Sequence, residues 1–167
     1  SKKMEILNDF TTSVEKSLTE IDANWRSYNG LIVCGTHNQK NTGELIDMIR
    51  RAREEKIPTL LICAGHQLGF IEYCRNVLGI KDATSEEFGT QGTFVVVKRP
   101  QMKVGLHEGE SWWSNYRLID SVWEMPKHFI SVPYHPEYQS TKEHPHKDLI
   151  KFINLCKNGG IAELLHL

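Results

Sequence analysis

The segment Thr59-Leu60-Leu61-Ile62-Cys63-Ala64-Gly65 places a cysteine directly after a short apolar run. A run of this length that follows Pro58 is typical of a strand that is buried on both faces. Beyond it, apolar residues at near-helical spacing predict a helix that Gly79 closes, and these residues are Leu68, Ile71, Val77 and Leu78. Cys63 therefore lies at a strand-to-helix turn, where a tight bend can project a nucleophile from the carboxyl end of a sheet.

Strands and helices are predicted to alternate on both sides of this turn. Short apolar or alternating runs predict strands at residues 3–7, 31–34, 93–98, 102–106 and 129–134, with a turn at 99–101. Apolar residues at three- and four-residue intervals predict helices at residues 12–21, 44–56 and 146–156. The strand, helix, strand, helix order favours parallel strands joined by crossover helices.

The whole chain is predicted to form a single domain, residues 1–167, with the weakest patterning in residues 1–27. Its 167 residues are enough to bury one substantial core. We expect a three-layer α/β/α fold with a mostly parallel central sheet, of the flavodoxin-like type.

Composition favours a small-molecule partner. With 20 Lys and Arg against 21 Asp and Glu, the net charge of −1 gives no basic surface for nucleic acid or for an anionic membrane. No apolar run is long enough to cross a bilayer or to act as a secretory signal, so we expect a cytoplasmic protein. The four cysteines form no C-x-x-C pair, and the sequence predicts neither a metal site nor a cofactor.

Two effects at the turn favour a reactive thiol. The N-terminus of the following helix stabilises a thiolate at Cys63. The backbone N–H of Ala64 is placed to bind an oxyanion. The alternative is that Cys63 is an ordinary buried cysteine at the end of an apolar strand.

A candidate partner for the thiol follows the strand predicted at residues 129–134. In His135-Pro136-Glu137, residues two apart share a face of extended chain, so the imidazole and the carboxylate can be neighbours. Such a pair can take the proton of a thiol and later protonate a leaving amine. The alternative is a solvated surface pair, which is the commoner fate of a His close to a Glu.

Taken together, these segments resemble class I glutamine amidotransferases, and within that family the glutaminase domains of CTP synthases. The resemblance covers more than half of the chain, from about residue 28 to 88 and from about 129 to 152. It is carried by residues 52–58 before the strand, Ile62-Cys63-Ala64-Gly65-His66-Gln67 at the turn, residues 72–80 and 82–88 after it, and His135-Pro136-Glu137-Tyr138-Gln139-Ser140.

The resemblance implies hydrolysis of glutamine through a thioester on Cys63, with His135 as base and Glu137 orienting it. The ammonia would pass to a synthetase. Thr36 and Ala64 would supply the oxyanion N–H groups. The residues that would bind the substrate are Gly35, Gln67, Glu87 and Arg117.

The chain also departs from the family pattern. The oxyanion loop, Gly35-Thr36-His37-Asn38, keeps only its first glycine, while Leu61 and His66 replace a glycine and a methionine. The arginine that binds the substrate carboxylate has no clear counterpart between residues 112 and 117, although Arg117 could serve. No phosphate loop of the form G-x-x-x-x-G-K-[ST] is present, so a separate synthetase subunit would be required to use the ammonia.

Three functions consequently remain open from the sequence. The first is a glutaminase, acting alone or as the ammonia-supplying subunit of a two-chain synthetase. The second is a hydrolase of a different γ-glutamyl or other amide. The third is a catalytically silent binding or regulatory subunit, which would have no physical need for Cys63, His135 and Glu137 together.

Overall fold

A computed structural model describes residues 4–36, 41–99, 116–119 and 123–158. Its strands are β1 Met4–Leu7, β2 Gly30–Val33, β3 Thr59–Ile62, β4 Ala83–Ser85, β5 Thr93–Lys98, β6 Tyr116–Leu118 and β7 Phe129–Val132. Its helices are α1 Thr11–Ile21, α2 Thr42–Glu55, α3 Ala64–Asn76 and α4 Lys147–Lys157, with short 3-10 turns at Trp25–Ser27 and Pro136–Tyr138. No helix in these ranges has the length and apolar character needed to cross a membrane.

The central sheet is parallel and contains four strands in the order β1-β2-β3-β7. β3 lies between β2 and β7, and its residues are completely buried. A second sheet has the order β4-β5-β6, in which β4 pairs with β5 in parallel and β5 pairs with β6 in antiparallel fashion. The interior strand β3 thus carries Cys63 to the carboxyl edge of the sheet.

Alternating side chains of the central strands divide the core between two faces. Ile32 and Cys34 pack in one cluster with α1 and α4, represented by Leu18 and Phe152. On the opposite face, Leu31, Val33 and Leu61 pack with α2 and α3, and the second sheet joins this cluster through β4 and β5. Because each strand residue points to the face opposite its neighbour, both faces need apolar residues. The predicted three-layer α/β/α fold with a mostly parallel sheet is confirmed.

An ion pair between helices orients α3. Arg53 of α2 donates to both carboxylate oxygens of Glu72 over 2.7 and 3.0 Å, and Asn76 donates to the same carboxylate over 2.9 Å. The Glu72 side chain is only 1% exposed. A buried carboxylate needs such hydrogen bonds to offset its desolvation, so this pairing fixes α3 against α2.

Most predicted elements agree with the structure to within one or two residues, and strand Thr59–Ile62 is reproduced unchanged. The helix after Cys63 was predicted to continue to Leu78 and ends two residues earlier, whereas the left-handed conformation predicted for Gly79 is confirmed. α3 ends at Asn76, and Val77 and Leu78 are 48% and 44% exposed. Gly79 has φ +78°, and the N–H of Ile80 returns to the carbonyl of Cys74, so the chain turns away toward β4.

Two strands of the second sheet, β4 and β6, have no counterpart among the predicted elements, since each is only three residues long. The strand predicted at residues 102–106 lies outside the described residues.

The start of α3 packs against β2 through a glycine. A Cβ atom added to Gly65 would lie 2.2 Å from the carbonyl oxygen of Val33. No side chain fits there unless the helix moves away from the sheet. Glycine at this position therefore sets how closely the turn at Cys63 approaches β2.

We predict that Gly65→Ala lowers the free energy of unfolding by at least about 1 to 3 kcal/mol, the usual cost of overpacking a core. The control is Gly43→Ala in α2, where an added Cβ meets nothing within 4 Å. That change should be neutral or stabilise by about 0.5 to 1 kcal/mol, because alanine favours helix. Urea denaturation measures both variants, and equal effects would contradict the packing argument.

Candidate active site

Cys63 occupies the turn between β3 and α3 in an unusual backbone conformation. Its φ is +54° and its ψ is −105°, a region that residues with a Cβ atom rarely adopt. Its N–H donates to the carbonyl of Val132 in β7 over 2.9 Å. The side chain is partly exposed. This strained turn has the geometry of a nucleophile elbow, with the thiol at the N-terminus of α3.

Strand register brings His135 to the same edge. Ile62 pairs with Val132, so the residues that follow β3 and β7 leave the sheet side by side. His135 is 8% exposed, and its imidazole lies close enough to the Cys63 side chain for the two groups to interact electrostatically. The thiol and the imidazole thus meet although they are far apart in sequence.

The carboxylate partner lies on the other side of the imidazole. His135 Nδ1 is 2.5 Å from Glu137 Oε1, and the Glu137 side chain is fully buried. The two residues were predicted to share a face of extended chain, but the structure differs. β7 ends at Val132, and Pro136–Tyr138 is a 3-10 turn that returns the carboxylate to the ring.

Several neighbours restrict the imidazole. Tyr138 stacks on it with a centroid distance of 5.0 Å, and Phe10 contacts it edge-on at 5.2 Å. A Cβ atom on Gly35 would lie 2.7 Å from His135 Cε1, so glycine is required where the loop after β2 passes the ring. Ser17 of α1 donates to the carbonyl of Glu137 over 3.3 Å. The pair is therefore positioned by three separate segments of the chain.

The imidazole is held in its charged form. Burial alone would lower the pKa of His135, but the hydrogen bonds to Cys63 and Glu137 and the charges of these partners raise it to about 9. Because this pKa lies above the ordinary value of 6.5, the imidazolium stabilises the fold fully below about pH 6.5. That contribution is lost as the pH rises through about 9.

A pocket beside Cys63 contains two of the predicted substrate-binding residues. Gln67 and Arg117 line it, together with His66, Arg99 and Tyr116. Arg99, which was not predicted as a site residue, adds a second guanidinium. A larger cavity at the opposite end of the sheet, between β1, β2 and α2, contains none of the predicted catalytic residues.

Gln67 and Glu87, both predicted to bind substrate, contact each other. Gln67 Nε2 donates to Glu87 Oε2 over 2.6 Å. Ser85, which the sequence did not single out, donates to Gln67 Oε1 over 2.7 Å and accepts from the N–H of Glu87 over 3.1 Å. These three residues form a closed ring of hydrogen bonds next to the pocket.

His66 is a second histidine of the pocket wall, and burial lowers its pKa to about 4, so it is neutral at pH 7. Its Nδ1 is 2.6 Å from Ser131 Oγ, and its ring lies 5.5 Å from that of Trp123. At pH 7, therefore, His66 is neutral whereas His135 carries a positive charge.

The predicted oxyanion donors lie on the two segments that flank the thiol. Ala64 is the first residue of α3, where backbone N–H groups have no partner within the helix. Thr36 follows Gly35, and its hydroxyl donates to Asp9 over 3.0 Å. Residues 37 and 38 of the predicted oxyanion loop lie outside the described residues. Within the described ranges, no cluster of three or more His, Cys, Asp or Glu side chains could bind a metal ion.

The family model for glutamine amidotransferase class-I matches residues 7–119, which is more than half of the chain. The chain belongs to the class I glutamine amidotransferases. This assignment confirms the resemblance that the motifs around Cys63 and His135 indicated.

Relatives of this amidotransferase carry the name CTP synthase. The proteins of Methanoculleus marisnigri and Eremothecium gossypii are 27% and 30% identical to it over 90% and 99% of the chain. The chain spans 42% of the first and 33% of the second, so it covers less than half of either protein.

The amidotransferase also shares its fold with the Trypanosoma brucei CTPS glutaminase domain, solved with bound acivicin. The TM-score is 0.62 at 20% sequence identity, over 89% of this chain and 75% of the other. At this identity the likeness concerns the fold alone.

Selective alkylation will test whether Cys63 is the reactive thiol. Burial raises the pKa of Cys74 to about 11 and of Cys156 to about 12, and burial with the charge of Glu137 raises that of Cys34 further. We predict that limiting iodoacetamide at neutral pH labels Cys63 first, because the thiolate is the nucleophile. Peptide mapping that finds another cysteine modified earlier would contradict the assignment.

The charge of His135 can be measured by NMR titration of its imidazole. We predict loss of its proton near pH 9 and a lower midpoint in Glu137→Gln, since that change removes a charge that stabilises the imidazolium. Glu143→Gln, at an exposed position, is the matched control and should leave the midpoint unchanged. A wild-type midpoint at or below pH 6.5 would show that the neighbours of His135 do not raise its pKa.

Proposed function

We propose that the chain hydrolyses the carboxamide of glutamine or of a related γ-glutamyl amide and releases ammonia. The observation that supports this most directly is the position of the His135 imidazole. It is anchored on buried Glu137 through Nδ1, and it lies close enough to the Cys63 side chain to interact with it electrostatically. A nucleophile, a base and a group that orients the base are the requirements of covalent acyl transfer.

In the proposed reaction, the Cys63 thiolate attacks the amide carbon, and the carbonyl oxygen becomes an oxyanion. The imidazolium of His135 then donates its proton to the leaving nitrogen, so that the C–N bond breaks and ammonia departs. A γ-glutamyl thioester remains on Cys63. Neutral His135 next takes a proton from water, whose hydroxide attacks the thioester and regenerates the thiolate–imidazolium pair.

The oxyanion would be bound by backbone N–H groups from both sides of the thiol. Ala64 would supply one from the N-terminus of α3, where the helix dipole favours negative charge. Thr36 would supply the other from the loop after β2. Gly35 would set the distance between this loop and the imidazole, because no side chain fits there.

Charge in and around the pocket fits an amino-acid substrate. Glu87, one hydrogen bond from the pocket wall, would pair with an α-ammonium group. Arg117 and Arg99 would attract a carboxylate, and a guanidinium suits this role because it binds carboxylates through two parallel bonds. Two arginines beside Cys63 also favour the second candidate, a γ-glutamyl compound with an additional carboxylate.

The ammonia would be delivered to a synthetase active site. The relatives named CTP synthase are more than twice as long as the matched chain, which is consistent with a synthetase portion outside the amidotransferase domain. We propose that such a synthetase portion, whether joined to this domain or present as a separate subunit, receives the ammonia, and that residues 1–167 act as one domain.

We predict that Cys63→Ala and His135→Ala each lower kcat/KM for amide hydrolysis by at least about a hundredfold, as expected for a nucleophile and its base. Glu137→Gln should retain more activity, because it keeps the base and alters only its orientation and charge. The assay is ammonia release from glutamine and a panel of γ-glutamyl amides.

The matched controls are His144→Ala and Glu143→Gln, both at exposed positions, and each should retain wild-type rates. Equal rates for wild type and His135→Ala on any hydrolysed amide would refute the mechanism. Ammonia release from none of the amides would instead favour a silent subunit.

A further inference from the structure

The hydrogen bonds of Ser85 suggest a role in substrate selection that it exerts without contacting the substrate. Its side chain is completely buried at the end of β4, where the pairing with β5 changes register. The Ser85 carbonyl accepts from the N–H of Phe88 over 3.0 Å, which closes a turn around Glu86 and Glu87. Ser85 thus belongs to the turn that presents Glu87.

The hydroxyl of Ser85 is used as both donor and acceptor. It accepts from the N–H of Glu87 and donates to Gln67 Oε1. A hydroxyl has a single proton to donate. In the structure that proton goes to Gln67, so the side-chain oxygen of Gln67 faces Ser85 and its NH2 group faces Glu87.

The Gln67 amide thereby fixes the Glu87 carboxylate. Gln67 is 2% exposed, and its NH2 group lies 2.6 Å from Glu87 Oε2. Reversal of the amide would bring its oxygen against the carboxylate, an unfavourable contact between two acceptors. Ser85 therefore supports the amide orientation in which the NH2 group of Gln67 holds the Glu87 carboxylate.

The charge of Glu87 acts close to the pocket. Burial first, and then the nearby negative charges of Glu87 and Glu86, raise the pKa of Tyr116, whose side chain lines the pocket together with Cys63 and Gln67. An ammonium group that enters this pocket would meet a carboxylate that Gln67 already orients.

We propose that Ser85 is a positioning residue, which orients Gln67 and through it holds Glu87 to receive the α-ammonium group of a glutamine-like substrate. This inference rests on the proposed function, because it assigns the recognition of one end of the same substrate. It adds the support of Glu87 to the predicted role of Gln67, which also lines the pocket.

The test compares two ligands that differ only in the ammonium group. They are L-glutamine and glutaramate, which is glutamine without its α-amino group. Binding is measured by calorimetry on the purified chain with Cys63→Ala, so that no turnover is needed. Addition of Ser85→Ala should raise the Kd for glutamine about tenfold, while the Kd for glutaramate changes less than about twofold.

Two further variants complete the experiment. Ser85→Cys keeps the shape of the side chain but forms weaker hydrogen bonds. It should also raise the Kd for glutamine more than the Kd for glutaramate. It carries the comparison if Ser85→Ala does not fold. Thr59→Val removes a buried hydroxyl at the end of β3 that lies away from Cys63, and it should change neither Kd.

The outcomes separate this inference from the proposed function. Selective loss of glutamine binding supports the role of Ser85 even if the wild-type chain releases no ammonia, in which case the proposed hydrolysis alone fails. Equal weakening of both ligands, or unchanged glutamine binding, overturns the role of Ser85. Absence of glutamine binding in the Cys63→Ala protein overturns it as well.

Discussion

The parallel pairing of β3 with β7 is the constraint on which the site depends. The last paired residues are Ile62 and Val132, and one further hydrogen bond joins the Cys63 N–H to the Val132 carbonyl. This bond fixes where the two strands leave the sheet. The thiol and the imidazole come from segments about 70 residues apart in sequence, and only this register places them together. Gly65 and Gly35 then permit the close approach that the register requires, one toward β2 and the other toward the imidazole.

Side chains of different charge lie close together around Cys63 and the pocket beside it. Imidazolium at His135 is stabilised by a buried carboxylate, whereas His66, which lacks such a partner among the described residues, is neutral through burial. Their difference shows that burial alone does not determine the charge of a histidine. Nearby, Arg99 and Arg117 supply positive charge to the pocket, and Glu87 supplies negative charge behind Gln67. An amide substrate with charges of both signs at one end suits this arrangement.

The sequence was sufficient to predict the layers and the catalytic candidates, because both depend on strong local patterns. Continuous apolar runs marked β2 and β3, and the His-Pro-Glu segment marked the edge of β7. The second sheet was harder, since β4 and β6 are three residues long and are stabilised by partners distant in sequence. Ser85 and Arg99 were missed for the same reason. Ser85 is linked to the pocket by its hydrogen bond to Gln67, and Arg99 lines the same pocket as Cys63, and no local sequence pattern reports either relation.

The positive φ of Cys63 also bears on the evolution of inactive relatives. A residue with a Cβ atom is strained there, whereas glycine adopts such a conformation without steric penalty. Under the proposed mechanism, Cys63→Gly would relieve this strain and remove the nucleophile in one mutational step once selection for catalysis is relaxed. Pseudoenzymes that descend from this fold should therefore lose the thiol readily, and under the proposed mechanism the cysteine is a compromise between activity and thermodynamic stability.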